Sequence, residues 1–166
     1  MTQTAPRTRI LVAVSPEKLD RMERVLTGHD LVFVRNRSEA MQRLGGETFG
    51  MVLLGVHFDE SQMFNLLGDI RLHAKYRKVP ILVVLLRGRF PMSDVTVEAL
   101  DHAAKAMTAN GFLDLDHFAD DEEGNARIRR IVDYLILING DLQHIARETK
   151  DEAIVSVVER RRRPAH

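Results

Sequence analysis

A chain of 166 residues with 45% hydrophobic composition is expected to form one globular domain plus an appendage. Its 24 Lys plus Arg balance 24 Asp plus Glu, so no global field draws it to nucleic acid or to an anionic membrane. Cys and Trp are absent and aromatics are 5%, which excludes disulfides, thiol catalysis and thiolate zinc sites and leaves few platforms for base stacking. Residues 1–9 are polar and no apolar run approaches the roughly 18 residues of a membrane helix, so a cytoplasmic location is expected.

Residues 9–14 are an apolar run without alternation, and Ser15-Pro16-Glu17 reads as an N-cap, a proline at the first helical position and an acid in the first turn. Leu19, Met22, Val25 and Leu26 recur at helical spacing until Gly28. Residues 31–34 make a second strand, and the basic turn Arg35-Asn36-Arg37 leads to a short helix capped by Ser38 and stopped by Gly45-Gly46. Residues 51–54 form a strand expected to be buried on both faces, with Gly55 at its carboxyl end. Met63, Phe64, Leu67, Ile70 and Ala74 trace a third helix, Val79-Pro80 breaks it, and 81–86 is the fourth strand. After the loop 87–93, a helix capped by Ser93 or Asp94 turns Val97, Leu100, Ala104 and Met107 inward. Asn110-Gly111 stops it, Phe112, Leu113 and Leu115 make a short fifth strand interrupted by Asp114, and a fifth helix carries Ile128, Ile131, Val132, Leu135 and Ile136.

Five βα units in succession imply a parallel sheet with helices on both faces, because strands buried on both sides need continuous apolar runs and right-handed crossovers. The expected class is α/β, a flavodoxin-like doubly wound five-stranded sheet of order 2-1-3-4-5 over residues 1–138, with an extra C-terminal helix. In the extension, 139–166, Asn139-Gly140 is expected to end the fifth helix and Asp141 to cap a sixth. Its apolar stripe (Leu142, Ile145, Ala146, Thr149, Ala153, Val157, Val158) ends in a basic tail at 160–163. The narrow stripe suits either packing on the domain or pairing with a second copy.

The order of elements and the turn Leu53-Leu54-Gly55-Val56-His57-Phe58 resemble the receiver domain of a two-component response regulator, over about residues 8–138. The resemblance implies a phosphorelay role in which a histidine kinase passes a phosphoryl group to an Asp at the end of the third strand. Two acids after the first strand would hold Mg²⁺, a Thr or Ser would end the fourth strand, and a Lys would end the fifth. Carried over position by position, the phosphoacceptor falls at Gly55 and the acidic pair at Val14 and Ser15. The hydroxyl falls at Leu85, give or take one residue, and the lysine at Leu115 or Asp114. The chain thus resembles a pseudo-receiver: a non-enzymatic signal-transduction module without metal or cofactor, acting through a protein partner. Homodimerisation is expected through the fourth helix, fifth strand and fifth helix, the face receivers commonly use, and no nucleic acid or membrane is expected as partner.

Displaced acids offer no obvious substitute, since Asp59 and Glu60 read as caps of the third helix. The seven histidines show no helical pair spacing and read as exposed or locally bonded loop residues, and Ser15 lacks the glycine elbow of a nucleophile. An alternative role rests on Arg35 and Arg37 after the second strand and Arg87 and Arg89 after the fourth, which together would bind a small phosphorylated ligand at the carboxyl edge of the sheet. Against it stands their pairing with Asp59, Glu60 and Asp114.

Overall fold

The computed structural model describes residues 5–88 and 91–148, with the backbone alone for 141–148. The chain runs β1 (Arg9–Ala13), α1 (Leu19–Val25), β2 (Asp30–Phe33), α2 (Arg37–Gly46), β3 (Met51–Gly55), α3 (Met63–Leu72), β4 (Ile81–Leu85), α4 (Asp94–Ala106), β5 (Gly111–Asp114) and α5 (Glu122–Glu148). The strands form one sheet of order β2-β1-β3-β4-β5 with every neighbouring pair parallel. This is the doubly wound arrangement expected from the apolar runs.

Burial explains why those runs do not alternate. All of β3 and β4 and all of β1 except Arg9 are buried, whereas the edge strands β2 and β5 are only half covered. Successive residues of the central strands feed opposite cores. Leu11, Val52, Leu54, Val83 and Leu85 pack on one face with Leu44 of α2, Leu67 of α3 and Ala104 of α4. Ile10, Val12, Leu53, Leu82 and Val84 pack on the other with Met22 and Val25 of α1 and Ile128 and Val132 of α5.

Local ends depart from the expected ones in several places, and α2 runs through Gly45-Gly46 rather than stopping before them. Helix α2 is capped by Asn36, whose side chain accepts from the Glu39 amide at 2.8 Å, and not by Ser38, which sits inside the first turn. Ser15 holds the N-cap position before a 3-10 turn at Pro16–Lys18, but its hydroxyl makes no capping bond to a backbone amide. Helix α5 does not stop at Asn139-Gly140; it continues to Glu148 as one helix of 27 residues, so within the described residues the extension is a prolongation of α5 and not a separate helix. One glycine costs a helix only about 1 kcal/mol relative to Ala, too little to end one already seated on a core. The rest of the stripe and the basic tail at 160–163 lie outside the described residues. Among the described residues, no helix is long and apolar enough to cross a membrane.

Polar clamps tie α1 to α5 and to the loop before it. Arg129 of α5 donates to the Arg24 and Val25 carbonyls, both at 2.8 Å, satisfying the C-terminal carbonyls of α1. Buried Arg21 donates to the Phe118 carbonyl at 2.9 Å and the Ala119 carbonyl at 3.3 Å. His29 accepts from the Thr8 amide at 3.2 Å through Nδ1, which places its proton on Nε2, 2.8 Å from Asp133 of α5. Arg24 donates to Asp120 at 2.7 Å, and that bond holds the Asp120 carboxyl below its usual value. A carboxyl depressed on folding stabilises above its unfolded pKa and loses that contribution as pH falls through the lower folded value. Asp120→Asn is therefore expected to be less stable than wild type at neutral pH by a small margin, the pair being exposed, and the gap should close in urea titrations repeated at progressively acid pH.

Candidate functional site

Parallel order brings the carboxyl ends of β1, β3, β4 and β5 to one edge, the place where an open α/β sheet holds ligands. Four segments meet there: Val14-Ser15 after β1, Gly55 closing β3, Leu86 after β4 and Leu115 after β5. Together with Lys18, Met22 and His57 they wall a cavity of about 10 Å³, the room of roughly one water molecule. The wall is largely apolar. Val14, Gly55 and Leu115 are buried, and none offers an oxygen ligand from its side chain.

Gly55 has little room for a side chain. A Cβ built there would stand 3.2 Å from Val14 Cα and 3.3 Å from its Cγ1, closer than side chains normally pack. Gly55→Ala is expected to cost about 1–3 kcal/mol by overpacking against β1, measurable as a lower urea midpoint at unchanged slope.

Leu85, the expected hydroxyl position, lies on the opposite face of the sheet, in the core shared with α2, α3 and α4. Its neighbour Leu86 lines the cavity, because successive strand residues point to opposite faces. The lysine position shows the same division. Leu115 lines the cavity, while Asp114 accepts from Arg87 Nη2 at 2.6 Å.

The described arginines, Arg35, Arg37 and Arg87, do not come together in one site. Arg37 donates through Nε to Asp69 at 2.6 Å, and Arg87 is held by Asp114 and the Met92 carbonyl. Both guanidinium groups are raised above their usual pKa, first by the hydrogen bond to their carboxylate. Arg35 is exposed, with its backbone amide donating to Glu39, and Arg89 lies outside the described residues. Sheet order supplies the reason: β1 and β3 separate the loop after β2 from the loop after β4.

Asp59 and Glu60 do not cap α3. Asp59, Glu60 and Ser61 form a left-handed turn with φ of 47°, 51° and 72°, and Gln62 holds the α3 N-cap position. Asp59 instead accepts from the Arg37 amide at 2.8 Å, so it caps the first turn of α2 across the edge of the sheet.

Sequence reasoning passed over Lys18. It lies in the 3-10 turn after β1, is 8% exposed, and donates from Nζ to the Leu86 carbonyl at 2.7 Å. Burial pushes its ammonium below the usual lysine value, opposed by the charges of Glu17 and Asp116. A lysine in a first turn reads as solvated, and only the loop at 86–88 folding over it decides otherwise. His57 lines the same cavity, and its Nε2 is buried without a hydrogen-bond partner.

Outside this cavity, Lys18, His57 and Leu86 also border an open cleft of about 740 Å³, rimmed by Glu17, Glu60 and Gly88. Among the described residues no three His, Asp or Glu side chains cluster as metal ligands do. The Mg²⁺ that the receiver resemblance implies does not fit the residues present. Hard cations take oxygen ligands, whereas the wall of this cavity offers valine, glycine and leucine beside a lysine ammonium.

No protein-family model matches the chain, and no curated protein matches it by sequence. Its solved structural neighbours are response-regulator receiver domains. A putative response regulator from Chloroflexus aurantiacus superposes with a TM-score of 0.63 at 17% identity, covering 79% of this chain and 98% of that one. The signal receiver domain of a putative LuxO repressor protein from Vibrio parahaemolyticus gives 0.61 at 15% identity, covering 84% and 97%. NtrX from Brucella abortus gives 0.68 at 16% identity, covering 87% of this chain but 30% of NtrX. These likenesses establish the receiver fold.

Proposed function

We propose that this chain, having the receiver-domain fold, is a signalling or regulatory module that takes no phosphoryl group and acts through contact with a protein partner. The observation that carries this reading is the closed wall of Val14, Gly55 and Leu115 where the fold's phosphorylation chemistry would lie. A phosphoryl group arriving there would meet in that wall neither a carboxylate to accept it nor oxygen side chains to hold a neutralising metal. A receiver switches because its phosphate biases two loop arrangements, and a ligand with equal affinity for both shifts nothing. Here a partner or ligand must supply that bias.

The working form is proposed to be a cytoplasmic homodimer, and two features support the dimer. Helix α5 outruns the sheet it packs on, and Tyr134 on its outer side is 62% exposed. The expected sedimentation result is a dimer that dissociates on dilution; a monomer at all concentrations counts against this part of the proposal.

Incubation with acetyl phosphate and Mg²⁺ followed by intact-mass measurement is expected to show no adduct, and a labile phosphoryl adduct would overturn the proposal. Gly55→Asp is expected to stay unphosphorylated as well, because Val14, Ser15 and Leu115 would still supply no metal ligand and no cation.

A further inference from the structure

Lys18 is a buried cation with unused hydrogen-bonding capacity. An ammonium has three protons to donate, and the Leu86 carbonyl takes one. Among the described residues no carboxylate lies within ion-pairing distance of Nζ, although the side chain has been largely withdrawn from water. A buried charge without a counter-charge costs free energy unless something else compensates it. His57 adds a second unsatisfied group on the same wall, its buried Nε2. The cleft outside is of a size that holds a small metabolite. Its acids, Glu17 and Glu60, stand exposed on the rim.

We propose that this cleft is a reversible binding site for a small oxyanion, a phosphate or carboxylate group on a free metabolite, held by Lys18 Nζ at its floor, with His57 lining the same cleft. The ammonium is already desolvated and fixed to the loop after β4, so binding recovers charge compensation without ordering a mobile side chain. An oxyanion seated on Lys18 would touch the turn after β1 and the loop leading to α4 together. The rim acids favour ligands that carry hydroxyl or ammonium donors beyond the anionic group.

The site goes beyond the function proposed above and is separable from it, since reversible binding leaves the intact mass unchanged whereas phosphorylation does not. The test is a titration with inorganic phosphate, and in parallel with acetate, at constant ionic strength set by sodium chloride. It is read by amide chemical shifts and melting temperature. Expected are saturable shifts at Lys18, His57 and Gly88, and a melting temperature that climbs with the logarithm of anion concentration past saturation. Lys18→Met should weaken binding at least tenfold, and Lys18→Arg should keep it. Acetate acting as well as phosphate also supports the site, as one for oxyanions generally. Equal effects from chloride, shifts mapping to exposed Arg35, or undiminished binding by Lys18→Met would overturn the proposal. If Lys18→Met fails to fold, the wild-type shift map alone decides.

Discussion

Gly124→Ala is expected to destabilise the protein by about 3 kcal/mol, against the ordinary direction for a glycine inside a helix. Gly124 lies in the first turn of α5, where Ala would normally gain up to about 1 kcal/mol by restricting the unfolded chain. Here a Cβ would stand 1.9 Å from the Ala119 carbonyl oxygen and 2.8 Å from its carbon. The obstacle is backbone, and Arg21 holds that backbone from the other side through the Phe118 and Ala119 carbonyls. The loop cannot withdraw without releasing a buried guanidinium. In thermal unfolding the change should appear as a melting temperature lower by roughly 6–12 °C. Unchanged or increased stability would show that α5 and the 118–119 segment do not approach this closely.

Replacing Arg71 by Leu is expected to cost a similar amount, about 3 kcal/mol, through several backbone groups at once. Arg71 leaves the end of α3 and donates to the Tyr76, Arg77 and Val79 carbonyls at 3.1, 3.2 and 2.7 Å. On its other side it donates to the Thr108 carbonyl and hydroxyl and to Asn110 Oδ1, which also accepts from the Ile81 amide. Every acceptor is neutral, so burial alone depresses this guanidinium below its usual value, without a carboxylate to oppose it. The group joins α3, the entry to β4 and the exit of α4, where Thr108 takes a left-handed φ of 70°. Arg71→Lys should recover little, because one ammonium cannot reach acceptors spread across a planar fork. Urea unfolding of both variants checks this; a Lys variant as stable as wild type would mean that the charge matters and the fork does not.

Neither Gly124 nor Arg71 lines the cavity or the cleft at Lys18, and this separates the proposals about function from those about stability. Lys18 and His57 can be changed while Gly124 and Arg71 hold the frame. A loss of anion binding in Lys18→Met with an intact amide spectrum would therefore report on the site.

The sheet and its strand order are legible in the amino-acid sequence. Its unbroken apolar runs at 10–14, 51–54 and 81–86 can be buried only between two layers of helices, and parallel strands joined by helices leave few topologies. It also placed glycine, valine and leucine at the ends of strands, side chains that cannot themselves take up a phosphoryl group. Tertiary structure alone decided which loops meet. Arg35 and Arg87 follow different strands at the same edge and look equivalent in the chain, yet two strands lie between them, and carboxylates from other elements had already engaged Arg37 and Arg87. Lys18 reads as a solvated first-turn lysine until the Leu86 carbonyl and Gly88 come over it from 68 and 70 residues away in sequence. The helix stop at Asn139-Gly140 was overridden because propensity is worth about 1 kcal/mol per residue, whereas continuity with a helix anchored by Ile128, Val132 and Ile136 is set by the core.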